Sequence, residues 1–238
     1  MADAAPAKEK KDLLLSHGAH EIRNPVAVIL GYVRMLTTER LGPLTELQHK
    51  VLGDVATSTT KLAALAEEMS LLARLLAGGT QFAKARVELA GLIGSEIPSV
   101  APAYEREVPI RVIDDFGTSV VTGDGPRLRE AFNSLMFAQR RELFTCDELC
   151  VAIDGVPGNE PPAIRVTIGG ADRIEGLRRL PPSDLVPLVE FRGGVGYKLT
   201  IARHVIEAHG GRVFSRTEPG DTPKSVLNIA AVVVLPSA

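Results

Sequence analysis

His20, Glu21 and Asn24 carry the clearest chemical potential in the chain. They sit in the run His20-Glu21-Ile22-Arg23-Asn24-Pro25, inside a stretch whose apolar residues recur at helical spacing. On a helix, His20 and Asn24 are four residues apart and share a face. Glu21 adjoins the imidazole in sequence and offers a base for its proton. A neutral imidazole relieved of its proton is a nucleophile that can take a phosphoryl group. The same spacing also fits a plain polar helix face, and residue types alone leave both readings open.

The elements that would position these residues can be read from the hydrophobic pattern. From about Lys11 to Arg40, Ala19, Ile22, Val26, Ile29, Val33 and Leu36 recur in alternating threes and fours, a heptad seam. His20, Glu21 and Asn24 fall off that seam and are expected to face solvent. Pro25 removes one backbone hydrogen bond, so a kink or local loosening is expected there. Gly42-Pro43 interrupts the pattern and Thr45 is a candidate N-cap. A second helix is predicted from about Glu46 to Ala77, with the seam Val51, Val55, Ser58, Leu62, Leu65, Met69, Leu72 and Leu76, ended by Gly78-Gly79. Such a hairpin buries its stripe poorly alone, and two copies can close a four-helix bundle. The expectation is therefore a homodimer.

After about residue 78 the texture changes. A helix is predicted over Val87–Ala103, broken by Pro98, with strands at Val108–Asp114 and Ser119–Thr122 and an amphipathic helix at Asp124–Leu143. Further strands are expected at Leu149–Ile153, Ala163–Ile168, Arg212–Arg216 and Val226–Leu235, with a helix at Leu199–Ala208 ended by Gly210-Gly211. The fold class is α+β: a long helical hairpin, then a mixed sheet with helices on one face. The expected organisation is a flexible tail at 1–10, a dimerisation and phosphoacceptor domain at 11–78, and an α/β domain at 79–238.

Composition narrows the partners. The net charge of -2 gives no electrostatic basis for nucleic-acid binding. The two cysteines, Cys146 and Cys150, form neither a zinc pattern nor a disulfide framework, so a reducing compartment is expected, with a redox pair or ordinary buried or half-buried thiols both open and the latter favoured by their strand placement. No apolar run reaches the ~20 residues of a bilayer span. No secretory leader is evident, and a cytoplasmic protein with no obvious room for a sensor domain is expected. His204 and His209 are read as structural, and His49 as solvated.

Four segments carry a family resemblance. The heptad hairpin with Ala19-His20-Glu21-Ile22-Arg23-Asn24-Pro25, followed by an α/β domain, resembles the cytoplasmic core of a bacterial two-component sensor histidine kinase. The resemblance implies that His20 is the phosphoacceptor, Glu21 its acid/base partner and Asn24 the residue that orients water in dephosphorylation; the same context favours His20 over His17. The segment Asp124–Ala138 is similar to the helix that carries metal-binding asparagine in the ATP-binding domain. Asn133 matches the first asparagine, but Phe137 stands where the magnesium-holding one is expected, and phenylalanine has no ligand atom for a hard cation. Where the family carries its adenine-reading aspartate and glycines, this chain has Gly169-Gly170-Ala171-Asp172-Arg173-Ile174, with Gly169 at the aspartate's place and Asp172 three positions late. Gly193-Gly194-Val195-Gly196-Tyr197-Lys198 resembles the phosphate loop, whose backbone N–H groups approach phosphate at a helix N-terminus. Lys198 replaces its final glycine. The loop between 175 and 192 holds Pro181, Pro182 and Pro187 and has no clear lid.

The resemblance implies a degenerate ATP site at Asn133, Gly193, Gly194, Gly196 and Lys198, with no metal ligand. No cofactor is expected unless that site still takes ATP and Mg²⁺. A phosphotransferase or pseudokinase is the favoured reading. It would exchange phosphate between His20 and a response-regulator receiver aspartate, with an upstream kinase or sensor as a further partner. An active autokinase and a non-enzymatic docking module are the alternatives.

Overall fold

The structure is a computed structural model that describes residues 4–102, 106–143, 146–156, 162–190, 194–219 and 226–238. The chain divides into two compact units, Met1–Thr80 and Gln81–Ala238.

The first unit is a helical hairpin of α1 (Ala4–Thr37) and α2 (Glu46–Leu76). Helix α1 begins at Ala4 and so takes in residues 4–10, which were expected to be a flexible tail. It also runs unbroken through Pro25. Thr45 caps α2 through a capping box. Its hydroxyl accepts from the Gln48 N–H, and the Gln48 side-chain oxygen accepts from the Thr45 N–H at 2.8 Å. Thr45→Ala removes this reciprocal pair and is expected to lower stability by about 1 kcal/mol in urea denaturation.

Only part of the predicted seam is buried within the hairpin. On α1, Ala19, Val26 and Val33, seven residues apart, are at most 6% exposed, whereas Ile22 and Ile29 stand 38% and 42% exposed. On α2 the buried positions are Thr59, Ala66, Ser70, Leu72 and Ala73. Most of these lie one residue on from the expected seam, and Val51, Val55 and Leu62 of that seam are exposed. The buried set on α2 is mostly small, Thr59, Ala66, Ser70 and Ala73 beside Leu72, and Val51, Val55 and Leu62 stand outside the contact.

The second unit opens with β1 (Ala85–Glu88) and α3 (Leu89–Glu96), where a single helix was expected. Glu88 ends the strand and caps the helix, its carboxylate accepting from the Ala90 and Gly91 N–H groups and from the Ser119 hydroxyl. Burial alone would raise its pKa, but these hydrogen bonds outweigh it and hold it below the usual carboxylate range. A depressed folded-state pKa gives stability that is present above the unfolded value near 4.3 and is lost as pH falls through the folded one. Glu88→Gln is therefore expected to flatten the acid limb of the stability curve, measured by urea midpoints from pH 6 downward.

The remaining elements are β2 (Ile110–Asp114), β3 (Val120–Gly123), α4 (Gly125–Glu142), β4 (Leu149–Val156), β5 (Ala163–Gly170), α5 (Ile174–Leu177), β6 (Val186–Pro187), α6 (Lys198–Ala208), β7 (Arg212–Pro219) and β8 (Val226–Pro236). Strands β1 and β3 form an antiparallel pair, and the main sheet has the order β2-β4-β5-β8-β7-β6. Its β2–β4 pairing is parallel and the others are antiparallel, so the sheet is mixed. Register aligns Val151, Ile168 and Ala231, and Ile153, Val166 and Val233, on one face, all fully buried. Helix α4 packs on β8 and β5 and against α6, with Leu128, Phe132 and Leu135 fully buried. On the opposite face Cys150 and Ala152 meet Ile174 of α5. The turn at Gly211 has no room for a side chain: a Cβ there would lie 2.7 Å from Leu235 and 2.8 Å from Ile206.

Candidate functional site

The phosphoacceptor-like residues are built on α1. Ala19, fully buried, faces the hairpin contact, and His20, Glu21 and Asn24 are exposed. His20 and Asn24 lie on one face. Glu21 projects about 100° around the helix from His20, so the two act together only on a group docked across both. Arg23 points the other way, and its Nη2 donates to Ser70 Oγ of α2 at 3.1 Å. Ser70 is 8% exposed and its hydroxyl donates to the Ala66 carbonyl at 3.0 Å.

The residues that the family resemblance assigns to nucleotide binding lie within the second unit, on α4 and the start of α6. Asp124 caps α4 by accepting from the Arg127 N–H. Asn133 turns towards α3, its Nδ2 donating to Glu96 Oε1 at 2.7 Å. One turn on, Phe137 presents its ring to two cations. The Arg141 guanidinium stands 5.5 Å and the Lys198 ammonium 5.3 Å from the ring centroid, within cation–π range. Arg141 Nη1 also donates to the Gly194 carbonyl at 2.7 Å, closing α4 onto the glycine loop. Gly194 and Gly196 have φ of +78° and +60°, the left-handed backbone for which glycine was expected. Gly193 lies outside the described residues.

Asp172, the late candidate for adenine reading, ion-pairs with its neighbour Arg173 at 3.5 Å and folds back over Gly170. The segment before the loop is anchored: Glu190 receives a hydrogen bond from Arg203 of α6, which also pairs with Glu207 at 2.9 Å. His209 is structural. Its Nδ1–H donates to the Val205 carbonyl at 2.6 Å, its Nε2 accepts from the Asp124 N–H at 2.9 Å, and Phe82 meets the ring edge-on. His49 pairs with Glu39 at 3.0 Å on the surface. Cys150 is buried and desolvation raises its thiol pKa, which makes it an inert core sulfur.

A concavity of about 1100 Å³ lies elsewhere, where Asp154, Arg165 and Arg178 meet. These groups are already satisfied by one another and by backbone carbonyls. Sequence reading missed Arg141 and Arg23; the one signal for Arg141 was its i+4 spacing from Phe137. Among the described residues no His, Cys, Asp and Glu cluster suits a metal, and no helix is long and apolar enough to cross a membrane.

Comparison with known proteins places this geometry. Residues 10–78 match the family described as His Kinase A (phospho-acceptor) domain. The chain is 25% identical over 235 residues to the sensor protein DivL of Caulobacter vibrioides, covering 92% of this chain and 28% of DivL. It is 27% identical over 236 residues to the sensor protein KdpD of Mycobacterium tuberculosis, covering 95% of this chain and 27% of KdpD. It therefore spans about a quarter of the length of these curated relatives. Its fold matches full-length ShkA, solved in complex with AMPPNP, at TM-score 0.67 and 20% identity over 94% of this chain and 45% of that one. The histidine kinase AdeS of Acinetobacter baumannii matches at TM-score 0.52 and 12% identity over 91% of this chain and 95% of that one. The hairpin bearing His20 matches the phospho-acceptor domain family, and together with the mixed-sheet unit after it is similar to the core of two-component histidine kinases.

Proposed function

We propose that this chain is a histidine phosphotransfer protein of kinase type whose ATP site has closed. The observation that carries this is Phe137, held between Arg141 and Lys198 at the position where the family resemblance places a magnesium ligand. A ring brings no oxygen to a hard cation. Charge-dense phosphates need a metal or an equivalent clamp for transfer, and the residues present do not fit one. With Gly169 in place of the adenine-reading aspartate, base and metal recognition are lost together.

His20 then serves partners. The imidazole nitrogen attacks phosphorus of a receiver's aspartyl phosphate. An N–P bond forms, the acyl O–P bond breaks, the aspartate leaves as carboxylate, and Glu21 takes the imidazole proton. The reverse sequence phosphorylates a receiver. Asn24, on His20's face, orients water for dephosphorylation. The hairpin is a homodimer: Ile22, Ile29, Val51, Val55 and Leu62 are 38–51% exposed and form the apolar surface that a second copy covers in a four-helix bundle.

Isothermal titration tests the closed site: no heat is expected from ATP with Mg²⁺ up to millimolar concentration. A second reading, metal-independent nucleotide binding, is favoured by the two cations at the loop. Micromolar binding insensitive to EDTA would replace our reading with that one.

A further inference from the structure

The hydrogen bond from Arg23 to Ser70 lies beside the phosphoacceptor and has no part in the chemistry just described. Three observations bear on what it does. First, Pro25 has no N–H, so the carbonyl of Glu21 lacks its usual helical donor, and α1 is softened one residue from His20. Second, on the α1 side the contact with α2 here is made by small groups. Ala19 is fully buried, and Gly18 lies where a Cβ would stand 3.7 Å from Met69 Cε. Smooth packing of this kind resists separation but resists rotation of α1 weakly. Third, Arg23 follows His20 by three residues and precedes Asn24, and its guanidinium reaches a hydroxyl that is nearly buried and already fixed to the Ala66 carbonyl at 3.0 Å. A directional bond to an anchored acceptor supplies the rotational restraint that the packing lacks.

We infer that Arg23 is a positioning residue for phosphotransfer, locking the rotation of α1 through Ser70 so that His20 and Asn24 meet an incoming receiver at fixed orientation. The inference rests on the phosphotransfer reading of His20. In-line displacement requires alignment of nucleophile, phosphorus and leaving group, and misplacement by about 1 Å can cost on the order of a hundredfold in rate.

Two phosphodonors separate the possibilities in the full-length chain: a phosphorylated receiver domain, which must dock, and phosphoramidate, which need not. In Arg23→Ala and Ser70→Ala, labelling by the receiver is expected to slow about tenfold, with the double variant no worse than either single one. Labelling by phosphoramidate and the urea midpoint are expected to match wild type within error. Equal slowing with both donors, additive losses, or wild-type rates from the receiver would overturn the positioning role. Absence of His20 labelling by both donors in the wild-type chain would instead remove the phosphotransfer reading beneath it.

Discussion

His20→Ala is expected to abolish labelling of this protein by a phosphorylated receiver, to the level of a no-protein control, while its unfolding free energy in urea stays within about 0.5 kcal/mol of wild type. Both halves follow from position. The side chain is exposed on a helix whose hairpin contact is made by Ala19, Val26 and Val33, so its removal costs no packing. Chemically nothing nearby replaces it. His17 lies one turn earlier without a following carboxylate and amide in the same register. Glu21→Gln is expected to retain acceptance at a rate lower by about a hundredfold, the usual worth of a positioned base. Asn24→Ala is expected to leave acceptance intact and slow release of phosphate to water. Autoradiography of the three variants against one receiver distinguishes nucleophile, base and water-orienting roles. Persistent label in His20→Ala, mapped by mass spectrometry to His17, would overturn the assignment.

The parts of this protein that were legible in sequence are those set by local rules. The N-cap at Thr45, the helix after Asp124 and the glycine turns rest on chemistry within a few residues, and the structure shows each of them. The heptad pattern announced the hairpin, yet it did not say which neighbour buries which position. Thr59, Ala66 and Ser70 are buried in the hairpin, and an apolarity scale passes over them in favour of Val55, Leu62 and Leu65. The departure at Phe137 could be read as a missing ligand. That its ring collects Arg141 and Lys198, and that Arg141 reaches Gly194 fifty-three residues away, depended on tertiary placement that no periodicity carries. Val87 and Glu88 read as helix because the following residues are helix formers; pairing with Val121 and Val120 overrode that preference. The short α5 and β6 lie in or beside the proline-bearing stretch read as a loop without a clear lid.

That stretch supports the second large effect. Arg178, with its side chain 11% exposed, donates to Asp154 of β4, to Asp115 after β2 and to Glu175 of α5. Asp154 first, then Asp115, holds the guanidinium more firmly protonated than usual, against the desolvation that opposes it. Beside it Arg165 donates to the carbonyls of Leu177 and Leu180 at 2.8 and 2.6 Å. The two arginines thus tie residues 174–180 to the sheet face opposite the Val151 and Val166 core, and Glu190 with Arg203 ties the end of the same segment to α6. Arg178→Met leaves Asp154, 21% exposed, without its strongest partner and near Asp115. Removing one member of a half-buried pair is expected to cost about 3 kcal/mol, a large share of a typical domain's stability. Most of that loss is the stranded carboxylate rather than the ion pair, so Arg178→Met with Asp154→Leu should recover the greater part of it. Urea unfolding of the single and double variants measures both terms. If the double variant is no more stable than Arg178→Met alone, the arginine acts through contacts other than Asp154. If the single variant loses less than about 0.5 kcal/mol, residues 174–180 are held by Ile174 and Leu177 packing instead of by charge.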